Sequence, residues 1–549
     1  MKKKSLFVFW SLSLCFSEFL VAQDKNYYLS ATGNDSNDGL TIKNASRTLD
    51  KINGINFKPG DSLFLEGGTI FHGTLQLTSD DNGSVGNPVV ISSFGKGKAI
   101  INAGDGEGLL GVNSSSLRII SLQFEGSGVA NNKGSGIHFY ANDPLNAPSD
   151  IEIIDCDAKG FKNYGIGFGA NDTISYKGYQ RVRITHCNVS ENGEAGIASY
   201  GSYKGFQHRD FYIAYCKAFN NRGIPSKTQN HSGNGIVMGM VDELLIEYCE
   251  AYENGADNRC TAGGPVGIWL WMCKNAIIQH CISHDNHAGL TKDGGGFDID
   301  GGASNCILQY NYSYNNEGAG YLLAEYGALF PFRNNIIRFN ISINDGRKNG
   351  YGGISVWGAS KDYSVTNTSV YNNTIFVDDQ KIVNGKPAVI TLIGPNYQHV
   401  VVANNIFVTQ GSVNVITSDT AVHTSALLLL HNNYFSYTNQ YNFEWGRKKF
   451  NSLQSWFREN LFQEKWQGKP LWMNINPLFK DQKELTDLSA RNSEGYFFKK
   501  EGLVISLTSL LWKELFPLKD HFKILSNTKD YSKNDLPSNG AVIPGATIR

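Results

Sequence analysis

Leu244-Leu-Ile-Glu-Tyr-Cys249-Glu-Ala-Tyr-Glu-Asn254 and Ala276-Ile-Ile-Gln-His-Cys281-Ile-Ser-His-Asp-Asn286 decide the fold between them. Each is an alternating apolar run that ends in cysteine, with an asparagine five residues later. The same pattern recurs over much of the chain: runs at 151–156, 182–187, 211–216, 244–249, 276–281, 306–311 and 336–340 end in Cys156, Cys187, Cys216, Cys249, Cys281, Asn311 and Asn340, at spacings of 29 to 33 residues. Asn192, Asn221, Asn254, Asn286 and Asn316 each follow an endpoint at the same offset. A buried amide can satisfy its own tight turn and the next turn of chain at once, so the repeat predicts an asparagine ladder.

A second strand follows in every repeat, opening at Gly136-Ile, Gly165-Ile, Gly196-Ile, Gly235-Ile, Gly267-Ile, Gly296-Phe, Gly320-Tyr and Gly353-Ile. Strand side chains alternate, so the residue after glycine points in and the next points out. About thirty residues per turn, with no apolar spacing of three and four, predict an all-β, right-handed, three-faced parallel β-helix and exclude a helical solenoid. Ten or more turns are expected between about residues 50 and 435, forming a catalytic domain at 24–435, with 436–549 packed back on it. Trp456, Phe457, Phe462, Trp466 and Trp472 are too apolar for a free linker and are expected to cover the final turns.

Residues 26–435 resemble the right-handed parallel β-helix proteins that include pectate-lyase-like polysaccharide lyases and several glycoside hydrolase families. The opening Tyr28-Leu-Ser-Ala-Thr-Gly-Asn-Asp, the segment Pro59-Gly-Asp-Ser-Leu-Phe-Leu, and the closing Asn476-Pro-Leu-Phe and Asn539-Gly-Ala-Val carry that resemblance. It implies a fold and a polysaccharide or oligosaccharide partner, not a reaction. The Gly-His-Gly and Asn-Thr-Asp signatures of polygalacturonases are absent.

Lys2 to Lys4, an apolar stretch from Leu6 to Phe16 and small residues near Ala22 read as an export signal over 1–23, placing the protein outside the cell or in the periplasm. Lipidation at Cys15 is the poorer reading, because Leu14 stands where a small residue belongs. A net charge of −1 argues against nucleic acid or a membrane surface as partner, and a monomer is expected. The cysteine column is read as a small apolar stack, since parallel Cβ vectors on adjacent turns make poor disulfides. Cys260 and Cys273, on a longer excursion, are the pair for which a disulfide stays open.

The outward positions of the second strand hold the candidate chemistry. Trp269 and Trp271 lie on one turn, Asp298 and Asp300 on the next, Glu325 and Tyr326 on the third, and Trp357 on the fourth. Tryptophans beside carboxylates suit sugar stacking and acid–base cleavage. The alternative is that both tryptophans hide beneath 254–265 and that the aspartates serve the glycine-rich turns. Asp300 and Glu325, with a one-residue bulge between them, are the preferred catalytic pair: Glu325 in an apolar setting is the acid, and Asp298 positions the sugar or tunes Asp300. Such a pair, about 5 to 5.5 Å apart, would retain anomeric configuration. His208, Arg209, Lys227, His231, Lys292, Asp293 and Arg333 flank this patch as candidate sugar contacts.

The leading function is a secreted glycoside hydrolase acting on a plant or algal polysaccharide, with no cofactor. The first alternative is a lyase in which Asp293, Asp298 and Asp300 hold Ca²⁺ against an acidic sugar and Lys292, or another base nearby, abstracts the proton. The second is a non-catalytic sugar-binding repeat.

Overall fold

The structure, a computed structural model of the chain, describes residues 24–170, 177–202, 205–261, 263–460, 462–466 and 469–477. The expected leader at 1–23 and the closing motif at Asn539 lie outside the described residues.

Three long sheets of 14, 13 and 14 strands run side by side, and a parallel solenoid of about 12 turns results. The first sheet starts at Asn26–Leu29, the second at Ile70–His72 and the third at Leu75–Leu77. Most turns give each sheet one strand, hydrogen-bonded in parallel to the turns before and after. The third sheet carries the Gly-Ile repeats in unbroken register: Ile137, Ile166, Ile197, Ile236, Ile268, Phe297, Tyr321, Ile354 and Ile390 form one inward column. All nine are fully buried. Each buried aliphatic contributes roughly 1.5–3 kcal/mol, so this column and its counterparts in the other sheets supply most of the favourable free energy.

The corners explain why the endpoint residues repeat. Asp155, His186, Tyr215, Tyr248, His280, Tyr310 and Phe339 each precede an endpoint and adopt φ between 53° and 59°, a left-handed turn that aims the next side chain inward. Glu191, Asn220, Glu253, Asp285 and Asn315 do the same before the ladder asparagines. A non-glycine residue there costs about 1–2 kcal/mol. Part of that cost is offset by stacking, since the rings of His186, Tyr215, Tyr248, His280, Tyr310 and Phe339 pile up with centroids 5.0 to 5.3 Å apart.

The ladder itself compensates further. Asn192, Asn221, Asn254, Asn286 and Asn316 each donate backbone N–H and side-chain Nδ2 to the carboxamide or carboxylate oxygen one turn on, at 2.8 to 3.3 Å. The final acceptor is Asp345, whose carboxyl burial pushes up to about 6. The endpoint column stacks too, with the Cys249 N–H reaching Cys281 Sγ at 3.4 Å. It then becomes a second asparagine ladder: Asn311, Asn340, Asn373, Asn405 and Asn432 repeat the same paired bonds. That ladder ends on Glu464, which accepts from Asn432 Nδ2 at 2.7 Å and Tyr434 OH at 2.6 Å. None of the eight described cysteines forms a disulfide, Cys260 and Cys273 included.

The start of the C-terminal region closes the last turn. Lys448–Phe450 pairs antiparallel with Asn442–Trp445, and the helix Leu453–Glu459, capped by Ser452, lays the buried Trp456 on Phe443 at 5.1 Å. Phe457 stacks on Trp472 at 4.6 Å. Phe462 departs from expectation: it is 67% exposed, because the chain turns Gln463 and Glu464 inward at that point instead. The side chain of Trp466 and residues 478–549 lie outside the described residues.

Two outcomes are expected. Asn254→Ala strips the acceptor from two buried donors of Asn221 and should destabilise by roughly 2–4 kcal/mol in urea unfolding, whereas Asn305→Ala, on the exposed Asn275–Asn305–Asn334 row, should cost only the roughly 1 kcal/mol of placing alanine at φ 57°. Burial pushes Glu464 up to about 7, so the folded chain holds a proton that the unfolded chain releases above its ordinary carboxyl value. Stability from this group therefore falls as pH rises from about 4.5 to 7. The melting temperature of Glu464→Gln should fall less over that range than that of the parent.

Candidate active site

Register places the outward columns of the third sheet next to one another. One runs Ala198, Val237, Trp269, Asp298, Leu322 and Ser355. The next column pairs Gly239 with Trp271, Trp271 with Asp300, and Ala324 with Trp357. Small residues among large ones make a trough. Gly239 is required there, since a Cβ would strike the Trp271 indole. The resulting cleft of about 600 Å³ is lined by Trp269, Trp271, Trp357, Asp293, Asp298 and Asp300, among others.

Three carboxyl groups converge in it. Asp298 is 3% exposed, and its Oδ1 has no hydrogen-bond partner. Burial, and then the charges of Asp300 and Asp293, push it well above the usual carboxylate range. Asp300, partly open at the end of strand Gly295–Asp300, is also pushed well up by burial and by Asp293 and Glu325, against the pull of the Gly301 N–H. Asp293 sits before the strand at φ 55°, in a bend that Gly294 continues at φ 74°. Burial raises it, opposed by the Tyr351 hydroxyl, the Gly264 N–H and Lys292. Gly264 must be glycine, because a Cβ would collide with the Lys292 carbonyl and the Asp293 side chain. Three such groups cannot all be charged in a cleft this dry, so the cluster keeps protons well above ordinary carboxyl values and titrates as a unit.

The cleft walls combine rings and polar groups. The Trp269 Nε1–H donates to Asn234 Oδ1 at 3.0 Å, and its ring lies 5.4 Å from that of His231, which burial keeps neutral with its value lowered to about 4. Trp269 is thus a fixed wall at 5% exposure rather than an open platform. Trp271 is half-buried, and Lys292 Nζ stands 5.0 Å over the Trp357 ring. Lys227 is held by both oxygens of Glu194 at 2.6 Å. Tyr326, 52% exposed, forms the lip against Gly301.

Four expected site residues, Glu325, His208, Arg209 and Arg333, are not in the cleft wall. No bulge separates the strands, since Asp298 pairs with Leu322 and Ile299 with Leu323, so Ala324 falls beside Asp300. Glu325 comes after the strand end, fully buried and turned inward: it accepts the N–H groups of Gly302, Gly327 and Ala328 and is absent from the cleft wall. The bulge that the Asp300–Glu325 pair required is absent, and Glu325 acts on Asp300 only as a nearby charge from behind the cleft wall. His208 is likewise a core residue, with Nδ1 accepting from the Tyr179 N–H at 3.1 Å and Nε2 facing the Tyr200 carbonyl at 2.9 Å. Arg209 is engaged by Glu243 on the exposed face of the first sheet. Among the described residues no cluster of three His, Cys, Asp or Glu side chains has metal-binding geometry. Glu194, Asn234 and Tyr351 are site residues that spacing did not reveal, because their partners lie 33 to 58 residues away.

Glu325→Gln should therefore act on stability. An amide nitrogen would face backbone N–H donors, costing roughly 1–3 kcal/mol in denaturant unfolding, while turnover of a cleavable substrate stays of the same order.

The family model described as "Right handed beta helix region" matches residues 145–375. The chain is 24% identical over 449 residues to a lacto-N-biosidase of Bifidobacterium longum subsp. longum, a match covering 64% of this chain and 27% of that protein. The chain thus spans about a quarter of the length of the curated relative it matches. Among solved structures it is similar to a GH136 lacto-N-biosidase of Eubacterium ramulus, at 19% identity and TM-score 0.53, covering 67% of this chain and 68% of the other. Pectate lyase Pel9A aligns at 14% identity and TM-score 0.37, over 96% of this chain and 97% of its own. The architecture is a right-handed parallel β-helix, a fold these carbohydrate-active proteins share.

Proposed function

We propose that this chain is a glycoside hydrolase that cleaves a neutral oligo- or polysaccharide in the cleft of its third sheet. The observation that carries the reading is the trio Asp293, Asp298 and Asp300, buried together and held partly protonated between the indoles of Trp269, Trp271 and Trp357. Glycoside cleavage needs one carboxyl that still bears a proton at working pH and a second that is charged. A coupled cluster supplies both forms, and the indoles offer the walls against which a pyranose packs. The two lacto-N-biosidases to which the chain is similar support the hydrolase class.

The roles follow from position. Asp300 is partly open to the cleft and accepts a backbone N–H, so it attacks the anomeric carbon or activates water there. Asp293, half-buried on the bend before the strand and fixed by the Tyr351 hydroxyl and the Gly264 N–H, takes the acid role earlier expected of Glu325. Asp298 lies behind them, with its unpartnered Oδ1 buried, and it holds a proton beside the pair rather than meeting the sugar.

The lyase reading requires cations to neutralise an acidic sugar. Four carboxyl groups line the cleft, Glu194, Asp293, Asp298 and Asp300, against the ammonium groups of Lys227 and Lys292. Lys227 is engaged by Glu194 and Lys292 stands over Trp357, so the cleft offers a uronate little uncommitted positive charge, which favours a neutral chain.

Asp293→Asn and Asp300→Asn should each lower kcat on a cleaved glycan by about 10²–10⁴-fold while binding survives. Azide should restore activity to the alanine variant of one position only, with an activated aryl glycoside separating the acid from its partner. An unsaturated, ultraviolet-absorbing product abolished by chelator would overturn the reading in favour of a lyase. No turnover across a broad glycan panel would overturn it in favour of a binding protein.

A further inference from the structure

The loop 346–351, two turns beyond the strand that carries Asp298 and Asp300, reaches back to the segment before that strand. Lys348 Nζ donates to the Gly289 carbonyl at 2.6 Å and to Glu317 at 3.3 Å. Asn349 Nδ2 donates to the Thr291 carbonyl. Tyr351 OH donates to Asp293 Oδ1 at 2.6 Å. Residues 348, 349 and 351 of one loop thus grip alternate residues of the other, at 289, 291 and 293. The gripping loop is itself anchored: Arg347 is buried against Asp378, and Glu317, which Lys348 holds, also accepts the Ala288 N–H at 2.8 Å and faces His287 at 3.2 Å.

We propose that Tyr351 is a positioning residue for Asp293, and that loop 346–351 is the clamp that sets where the Asp293 carboxyl stands in the cleft. This rests on the reading of Asp293 as a catalytic carboxyl. A carboxyl on a bend with two consecutive left-handed residues has no strand ladder to hold it, unlike Asp298 and Asp300, so another element must fix it. Tyr351 is absent from the cleft wall and 5% exposed, and its ring is packed with Ala319, Leu322 and Ala324; it acts from behind. A short hydroxyl–carboxyl bond ties one oxygen of Asp293 to the loop and so limits how the carboxyl can turn. The remaining charged groups around Asp293 are Lys292 beside it and Asp298 and Asp300 on the following strand, with the Glu317–Lys348–His287 group at its back. The Tyr351 hydroxyl thus opposes burial and the two aspartates in setting how firmly Asp293 holds its proton.

Tyr351→Phe tests this, with folding checked by melting temperature. The hydroxyl favours the charged form of Asp293, so its loss raises the pH at which Asp293 releases a proton. The expected result is a kcat lowered about 10-fold and the limb of the pH–rate profile governed by Asp293 moved to higher pH by about one unit, the alkaline limb if Asp293 is the acid. Lys348→Met, which loosens the clamp without touching the carboxyl, should lower kcat with both limbs in place. An inactive Asp293→Asn together with an unaltered Tyr351→Phe profile would overturn the clamp alone. A fully active Asp293→Asn would overturn the reading of the site and the clamp with it.

Discussion

Each turn must lie in register on the one below it, about 4.8 Å away, and nearly every other feature follows from this constraint. In-register stacking puts identical positions of successive turns in contact, so a side chain is chosen for how it meets its own counterpart. Carboxamides satisfy that demand well, since one oxygen accepts the N–H and Nδ2–H of the neighbour while its own nitrogen donates onward. Two asparagine ladders consequently run inside the corners, one from Asn192 to Asp345 and the other from Asn311 to Glu464. Each ends on a buried carboxyl because the last turn needs an acceptor and no longer needs a donor. The left-handed residues before them are tolerated for the same reason: each costs about 1–2 kcal/mol, and each is followed by a side chain making two or three bonds worth about 1 kcal/mol apiece.

The same stacking builds the cleft. Outward columns in which Ala198, Val237, Gly239 and Ala324 stand among Trp269, Trp271, Leu322 and Trp357 give a trough whose floor is strand backbone, too stiff to shift when carboxyls are buried in it. Loops add what strands cannot. Asp293 arrives on a bend and is held by a loop two turns away, so the carboxyl nearest in sequence to Asp298 and Asp300 is placed by quite different means.

This division explains what could be read from the sequence. The inward column, the cysteine stack and the first asparagine ladder were all legible, because register repeats them at fixed offsets. The second ladder was visible only as endpoints that change from Cys281 to Asn311, and nothing local marks that column as hydrogen-bonded. Asp298, Asp300, Trp269 and Trp271 were legible as outward residues of adjacent strands. Glu325 was misplaced because it lies one residue past a strand end, where alternation no longer fixes direction and the free N–H groups of Gly327 and Ala328 draw the carboxylate inward. His208 was misplaced for a related reason: the first residue of strand His208–Ala214 looks exposed by pattern, yet the Tyr179 N–H and the Tyr200 carbonyl claim both ring nitrogens. Tyr351 and Asn234 carry no repeat signal: Asn234 is in register with an alanine, Ala195, and the partner of Tyr351 lies two turns back.

Burying Asp293, Asp298 and Asp300 together is unfavourable for folding, and a small globular core would relax by turning one of them to solvent. A solenoid resists that escape. Each turn contacts only its neighbours, so the strain stays within the turns that hold the cleft, while the ladders and inward columns above and below remain intact. Asp298 already points outward and is buried by the cleft walls, so taking it to solvent would require its strand to leave register with Trp269 on one side and Leu322 on the other, breaking the backbone bonds of two interfaces to relieve one desolvated carboxyl. A group in that position relieves its burial by keeping a proton instead of by moving. The rigidity that comes from stacking is thus what converts three ordinary aspartates into a proton reservoir facing the cleft.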